Sequence, residues 1–274
     1  MRRKGVVLGS VSVLVSLVVF AIPFLFVLLT AMKDRTEANE LAFSWPQNFA
    51  LVDNLKEVIQ ARDYQLVIAF INSTVLTVSS VALLVVLGAM VAFILQRRPG
   101  PWTRVADFLV LAGLIVPPAV VPTVWVLQSI GLFRTMAGLI LVEVAFGISF
   151  TVLLFKAFIA TIPRELDEAA ALDGAGPIRL FFQVIFPVLR SVIVTVIVVQ
   201  SVAVFNDFAN PLYFLPGDEN ATVQLTLFNF NSQFTTQYNL LFTDILLITI
   251  PPLIMFLFFN RQIVAGQTAG AVKA

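Results

Sequence analysis

The chain has 274 residues, of which 59% are hydrophobic and only 12% charged, with a formal net charge of +1 and a mean hydropathy of +0.97. Soluble domains are nearer half apolar and a quarter charged, so this balance points to bilayer spans and argues against nucleic acid or an acidic surface as the main partner. With no Cys and no His, zinc sites, thiol chemistry, disulfides and imidazole relays are excluded.

Met1-Arg-Arg-Lys4 followed by an apolar run has the look of a secretion signal. The run is too long for one, however, and Met32-Lys-Asp-Arg35 lacks the small-residue cleavage pattern, so residues 6–31 read as a retained first span. A long outward loop, about 33 to 66, carries an amphipathic stretch, Val52, Leu55 and Ile59, compatible with a helix lying on the membrane surface. The second span is expected at 67–95 and the third at 105–127. Pro117, Pro118 and Pro122 must kink or break the third, which suits a helix lining a cavity. The fourth span is expected at 139–159, the fifth at 188–208 and the sixth at 241–259. Each can cross roughly 30 Å of hydrocarbon at about 1.5 Å per residue. The expected fold is an all-α polytopic membrane protein with six transmembrane helices in a single permease domain, residues 1–274.

Between the fourth and fifth spans, residues 160–187 are too polar for lipid and read as a compact helix–turn–helix on the membrane face. Pro163 suits a first helical position, Glu165, Asp167 and Glu168 place negative charge in the early turns, and Gly174 suits a left-handed stop. Ala169 and Ala170 beside Glu168 leave a charge on bare surface that another protein can approach. The outward loop at 209–240 mixes amides and aromatics, among them Tyr213, Asn220, Phe228, Asn229 and Phe234. That mixture suits sugar or protein contact, and equally a loop that packs on its own fold. Residues 260–274 form a tail.

Basic residues set the expected orientation. With six spans, one side holds only Lys33, Arg35, Lys56, Arg62 and Arg134, and the remaining 12 of the 17 lie with both termini and the 160–187 loop. The positive-inside rule places that side in the cytoplasm of a prokaryotic inner membrane.

Several polar residues fall at membrane depth. Glu143 is either part of a hydrophilic route or an interhelical strut, since a carboxyl in the bilayer must face protein or water. Asn72 reads better as a strut. Asn206 and Asp207, near the outer end of the fifth span, read as gate or partner-contact residues. Asp107, Lys156 and Asp244 lie near span ends, where snorkelling or capping accounts for them.

One pattern is specific. Glu168-Ala-Ala-Ala-Leu-Asp-Gly174 continues nine residues past the glycine into Val184-Ile-Phe-Pro187, and it resembles the cytoplasmic coupling loop of ABC importer membrane subunits. Further matches are Pro46-Gln-Asn-Phe-Ala-Leu-Val-Asp-Asn54, Phe70-Ile-Asn-Ser73, Phe205-Asn-Asp-Phe-Ala-Asn-Pro211 and Gly266-Gln-Thr-Ala-Gly-Ala-Val-Lys273. Together they resemble the maltose-type carbohydrate-uptake permeases, and the tail looks like that of the second, shorter membrane subunit. Phe186 stands where the family usually has Leu, as does Gln267.

The resemblance implies a type I importer permease fold and one half of a sugar pathway. It implies a coupling surface at Glu168, Ala169, Ala170, Asp173, Gly174 and Pro187, and an ATPase-contacting tail at Gly266, Thr268, Gly270 and Lys273. The expected partners are a second homologous permease, two ATPase subunits holding ATP and Mg, and an extracytoplasmic sugar-binding protein probed by the 214–240 loop. No Gly-x4-Gly-Lys-Ser/Thr pattern occurs, so no P-loop hydrolysis is expected here, and no catalytic or metal residue is assigned. An importer for a non-sugar solute is the near alternative. A gradient-driven symporter is further off, having no need of a docking loop, and an intramembrane enzyme would need a catalytic constellation that is absent.

Overall fold

Backbone inside hydrocarbon must satisfy its own hydrogen bonds, and the apolar runs among the described residues do so mainly as helices. The computed structural model describes the backbone of residues 2–231 and 236–271, and the side chains of residues 12, 15–231 and 236–259. In chain order the helices are α1 (Arg2–Ala31), α2 (Arg35–Asn39), α3 (Leu51–Arg97), α4 (Pro101–Ile115), α5 (Val120–Ser129) and α6 (Met136–Ile159). Then come α7 (Glu165–Leu172), α8 (Pro177–Arg179), a π-helical turn (Leu180–Ile185), α9 (Phe186–Val188), α10 (Arg190–Phe205) and α11 (Ala209–Phe214). Two 3-10 segments, Asp218–Asn220 and Val223–Asn229, lead to α12 (Tyr238–Ala271). Among the described residues there is no strand, only an isolated antiparallel bridge between Asn231 and Thr236.

Among the described residues, three helical stretches are long and apolar enough to cross a membrane: Leu51–Arg97, Met136–Ile159 and Tyr238–Phe259. Pro177–Val188 and Arg190–Phe205 add a fourth if their pair, bent by 77°, counts as one span. The first apolar run is helical throughout α1, with Val15–Ala31 as its described apolar part. The third is broken: α4 stops at Ile115, Pro117 and Pro118 hold the chain extended, and α5 starts at Val120.

The chain divides into two units, Met1–Ala69 with Val223–Ile250, and Phe70–Thr222 with Pro251–Ala274. The first unit is tied by polar side chains. Asn54 donates to the carbonyls of Ala31 (2.9 Å) and Lys33 (2.8 Å), and Asn239 donates to the Asn54 side-chain oxygen at 2.8 Å. Lys33 is fully buried, its ammonium donating to the Ala42 carbonyl and the Ser44 hydroxyl, both at 2.8 Å. A helix is present there as the start of α3. Asn54 and Val58 are its buried residues, whereas Val52 and Ile59 are exposed. Arg62, Asp63 and Tyr64, all at positive φ, separate this stretch from the apolar helix that follows.

Asp244 also differs from expectation. It neither snorkels nor caps; it is completely buried, with the Thr226 hydroxyl donating to its Oδ2 at 2.9 Å. The 3-10 segment bearing Thr226 covers it, which the apolar pattern of the last span does not reveal.

The second unit is built on α3, α6 and α10. The buried faces of α6 (Leu139, Val142, Val152, Phe155, Ile159) and α10 (Val192, Val196, Val204) follow helical spacing. Without a hydrophobic drive between helices in lipid, close approach by small residues matters more. Gly88 supplies it: a Cβ there would stand 2.5 Å from the Thr151 methyl. Lys156 and Asp107, expected to snorkel or cap, instead form an ion pair between α6 and α4.

Candidate functional site

Two places in the second unit concentrate candidate functional side chains. One is the 160–187 loop. Helix α7 begins at Glu165, two residues later than the position expected from Pro163, and ends at Leu172. Gly174 then takes φ +78°, the left-handed stop its sequence position calls for, and the Ala175 N–H reaches back to the Ala170 carbonyl at 2.9 Å. Glu168 and Ala169 are exposed, as are Asp173, Gly174 and Pro187. Ala170 is not: it is buried, because it lies on the opposite side of α7, toward the π-helical turn. The bare surface therefore consists of Glu168 and Ala169, extended by Leu172 (89% exposed) and Ile178 (77%) around the turn. Among the described residues the Glu168 carboxylate has no partner.

The far side of the loop is locked into the transmembrane core. Phe181, Ile185 and Leu189 are buried together with Ala89, Ala92, Phe155, Ile159 and Ile162. The Phe181 ring lies 5.6 Å from that of Phe93. Pro187 has no N–H to give a preceding carbonyl, and its ring crowds that carbonyl, so the turn ahead of it widens to π geometry before α10 departs. Arg97, at the end of α3, pairs with Asp167 at 2.8 Å and donates to the Ile162 carbonyl at 2.9 Å. In sequence Arg97 is only one of the 12 basic residues on the side of the termini. Nothing in the pattern marks a partner some seventy residues away.

The second place is a cavity of about 520 Å³, lined by Pro118, Glu143, Phe146, Gly147, Phe150, Val199, Gln200, Ala203, Val204, Asp207, Ala209 and Asn210. Its size lies within the range of small-molecule sites, roughly 300–1,000 Å³. Glu143 and Asp207 line it together, whereas Asn72 and Asn206 do not. Glu143 is only 6% exposed, accepts from the Asn210 amide at 3.2 Å and lies against the Asp207 carboxyl. The Asp207 Oδ1 accepts the backbone N–H groups of Ala209 (2.8 Å) and Asn210 (3.2 Å), which starts α11. Gln200 is buried and donates to the Gly147 carbonyl (3.1 Å) and the Thr151 hydroxyl (2.7 Å). Phe146, Phe150 and Asn210 escaped sequence reasoning. Asn210 lay inside a quoted motif, but the pairing with Glu143 joins residues far apart in the chain.

The other candidate residues lie apart from these places. Asn72 donates to the carbonyls of Glu219 (3.2 Å) and Ala221 (3.1 Å). Asn206 is exposed and ends α10 through its N–H to Val202. Tyr213 is exposed on α11 and Asn220 is partly buried in a 3-10 turn of the same unit. Phe228 and Asn229 belong to the first unit, where Phe228 is exposed and the Asn229 amide donates to Gln65 at 2.8 Å. Phe234 and Lys273 lie outside the described residues. Gly266, Thr268 and Gly270 fall in the helical backbone of α12, their side chains outside the description.

Residues 84–267 match the model of a family described as the binding-protein-dependent transport system inner membrane component. The chain is 31% identical to the diacetylchitobiose uptake system permease protein of Streptomyces coelicolor, covering 99% of this chain and 90% of that one. It is 29% identical to the melibiose/raffinose/stachyose import permease protein of Bacillus subtilis, over 92% and 91%. It is 34% identical to the trehalose transport system permease protein of Mycobacterium tuberculosis, over 75% and 76%. A bacterial ABC transporter involved in import of the acidic polysaccharide alginate has a chain with the same fold, with a TM-score of 0.80 at 16% identity, covering 95% of this chain and 96% of that one.

Proposed function

Because the chain belongs to the family of binding-protein-dependent transport system inner membrane components, we propose that it is the membrane-spanning permease subunit of an ATP-driven sugar importer. It forms half of the route for an oligosaccharide or sugar derivative and catalyses no reaction itself. The permease names of the relatives, for diacetylchitobiose, melibiose, raffinose, stachyose and trehalose, support the sugar. The other half is a homologous permease, and two ATPase subunits supply ATP, Mg and the hydrolysis. An extracytoplasmic binding protein delivers the sugar, meeting the outward loop that carries Tyr213, Asn220, Phe228, Asn229 and Phe234. Both termini face the cytoplasm, where the tail with Gly266, Thr268, Gly270 and Lys273 gives the ATPases a second contact.

The observation that carries this reading is the two-sided build of the 160–187 loop. One side offers a free carboxylate at Glu168 beside exposed Leu172 and Ile178; the other is packed into the core through Phe181 and Ile185. A charged group ringed by apolar surface is what a desolvated protein contact needs, and the packed side passes movement of that contact to α3 and α6. Co-purification tests it. Glu168→Lys should remain in the membrane and lose the ATPase subunits, or keep them with uptake uncoupled. Full ATPase recovery with normal uptake would remove this surface from the mechanism.

A further inference from the structure

The cavity beside Glu143 has an unusual chemical balance. Two carboxyls, Glu143 and Asp207, line it, and no lysine or arginine is among its lining residues. The donors nearest them are mostly used. Asn210 gives one amide N–H to Glu143, and buried Gln200 gives both of its own to the Gly147 carbonyl and the Thr151 hydroxyl, so Gln200 has its carbonyl left to offer. The polar wall is thus dominated by acceptors. Phe146 and Phe150 add apolar faces of the kind that sit against the C–H side of a sugar ring.

Acceptors facing a recess of low dielectric favour solutes that bring donors, hydroxyl or ammonium groups, and repel solutes that bring only acceptors. Neither carboxyl has a cation beside it among the lining residues. We infer that this cavity selects by charge: neutral and amine-bearing sugars pass, and sugars carrying carboxylate, sulfate or phosphate groups are turned away. Glu143 and Asp207 set the charge, and Gln200 extends the acceptor surface. The inference deepens the sugar-importer reading and rests on it.

The absence of native cysteine allows a direct test that needs no knowledge of the sugar. Ala203 lines the cavity, so Ala203→Cys places one thiol there. In the assembled transporter in nanodiscs, that thiol is reacted with a trimethylammonium or a sulfonate methanethiosulfonate reagent, and modification is read from the intact mass of this chain. Rates are divided by those of a free thiol. The cationic reagent is expected to react at least about tenfold faster, in line with the focusing of ions by a charged cleft. Adding Glu143→Gln and Asp207→Asn should bring the ratio toward one. A ratio near one in Ala203→Cys alone, a ratio unchanged by the two neutral substitutions, or no reaction with either reagent would overturn charge selection. ATP-dependent uptake by the unsubstituted transporter is measured separately with neutral di- and trisaccharides. If none is taken up, the sugar reading fails on its own evidence, whatever the thiol ratio.

Discussion

Arg97 holds Asp167 at 2.8 Å, tying the end of α3 to the first helix of the 160–187 loop, while its Nη2 donates to the Ile162 carbonyl at 2.9 Å. Both side chains are largely shielded from solvent, so the pair is a mechanical joint more than a surface decoration. Arg97→Ala leaves a carbonyl and a carboxylate without their partner, a loss of about 1–3 kcal/mol at the joint. The expected outcome is a transporter that assembles but moves less sugar per ATP hydrolysed. Arg97→Lys should recover part of the coupling, because it keeps the charge but loses the planar fork whose separate nitrogens reach the carboxylate and the carbonyl together. Stoichiometry measured in proteoliposomes decides it; an unchanged ratio in Arg97→Ala would make the joint dispensable.

Close packing of α3 on α6 at Gly88 gives a second expectation. Alanine there would meet the Thr151 methyl at 2.5 Å, a distance real contacts do not tolerate. Gly88→Ala should lower stability by about 1–3 kcal/mol, the usual range for overpacking. Adding Thr151→Ser removes that methyl and keeps the hydroxyl to which Gln200 donates, so it should restore most of the loss. Thermal unfolding of the single and double variants in detergent checks the rescue. Equal destabilisation in both would show that the helices yield elsewhere.

Asp34 gives a pH dependence in the first unit. Its carboxylate accepts the Glu37 backbone N–H at 2.9 Å and the Asn48 amide at 3.0 Å. Those bonds, the Glu37 bond foremost, hold its pKa below the ordinary value of 3.8. A pKa lowered by folding means that the capping contribution is complete above the ordinary value and fades as pH falls through the lowered one. Protection of the Glu37 amide, measured against its intrinsic exchange rate, should therefore be high at neutral pH and fall on acidification below about pH 4. In Asp34→Ala it should be low at every pH.

The sequence is most readable where one residue type has few alternatives. Pro117 and Pro118 announce the break between α4 and α5, and Gly174 announces the left-handed stop it adopts at φ +78°. Spans announce themselves by composition, because only long apolar helices suit hydrocarbon. Other features have no such signature. The left-handed turn at Arg62, Asp63 and Tyr64 uses no glycine, so nothing separates the surface helix from the span that follows. The π-helical turn before Pro187 reads as ordinary helix. Ala170 reads as open surface because neighbours in sequence look alike, although one helical step of about 100° moves a side chain from solvent to core.

Side-chain partners were the least legible. Glu143 stands out as a buried acid, yet its hydrogen bond from Asn210 and its shared cavity with Asp207 depend on how α10 and α11 pack on α6. Hydropathy puts Asp244 near a span end, while its burial goes with Thr226, carried by a separate 3-10 segment. Charge and hydropathy report what a residue costs in lipid; they do not report which distant group offsets that cost.

Uptake by the complete transporter reconstituted in proteoliposomes tests the central claim most directly. The binding protein and a labelled neutral oligosaccharide are supplied outside, with ATP inside. The account predicts accumulation that requires both ATP and the binding protein, and that Glu168→Lys abolishes. Accumulation driven by an ion gradient without ATP, or uptake unchanged in Glu168→Lys, would contradict it.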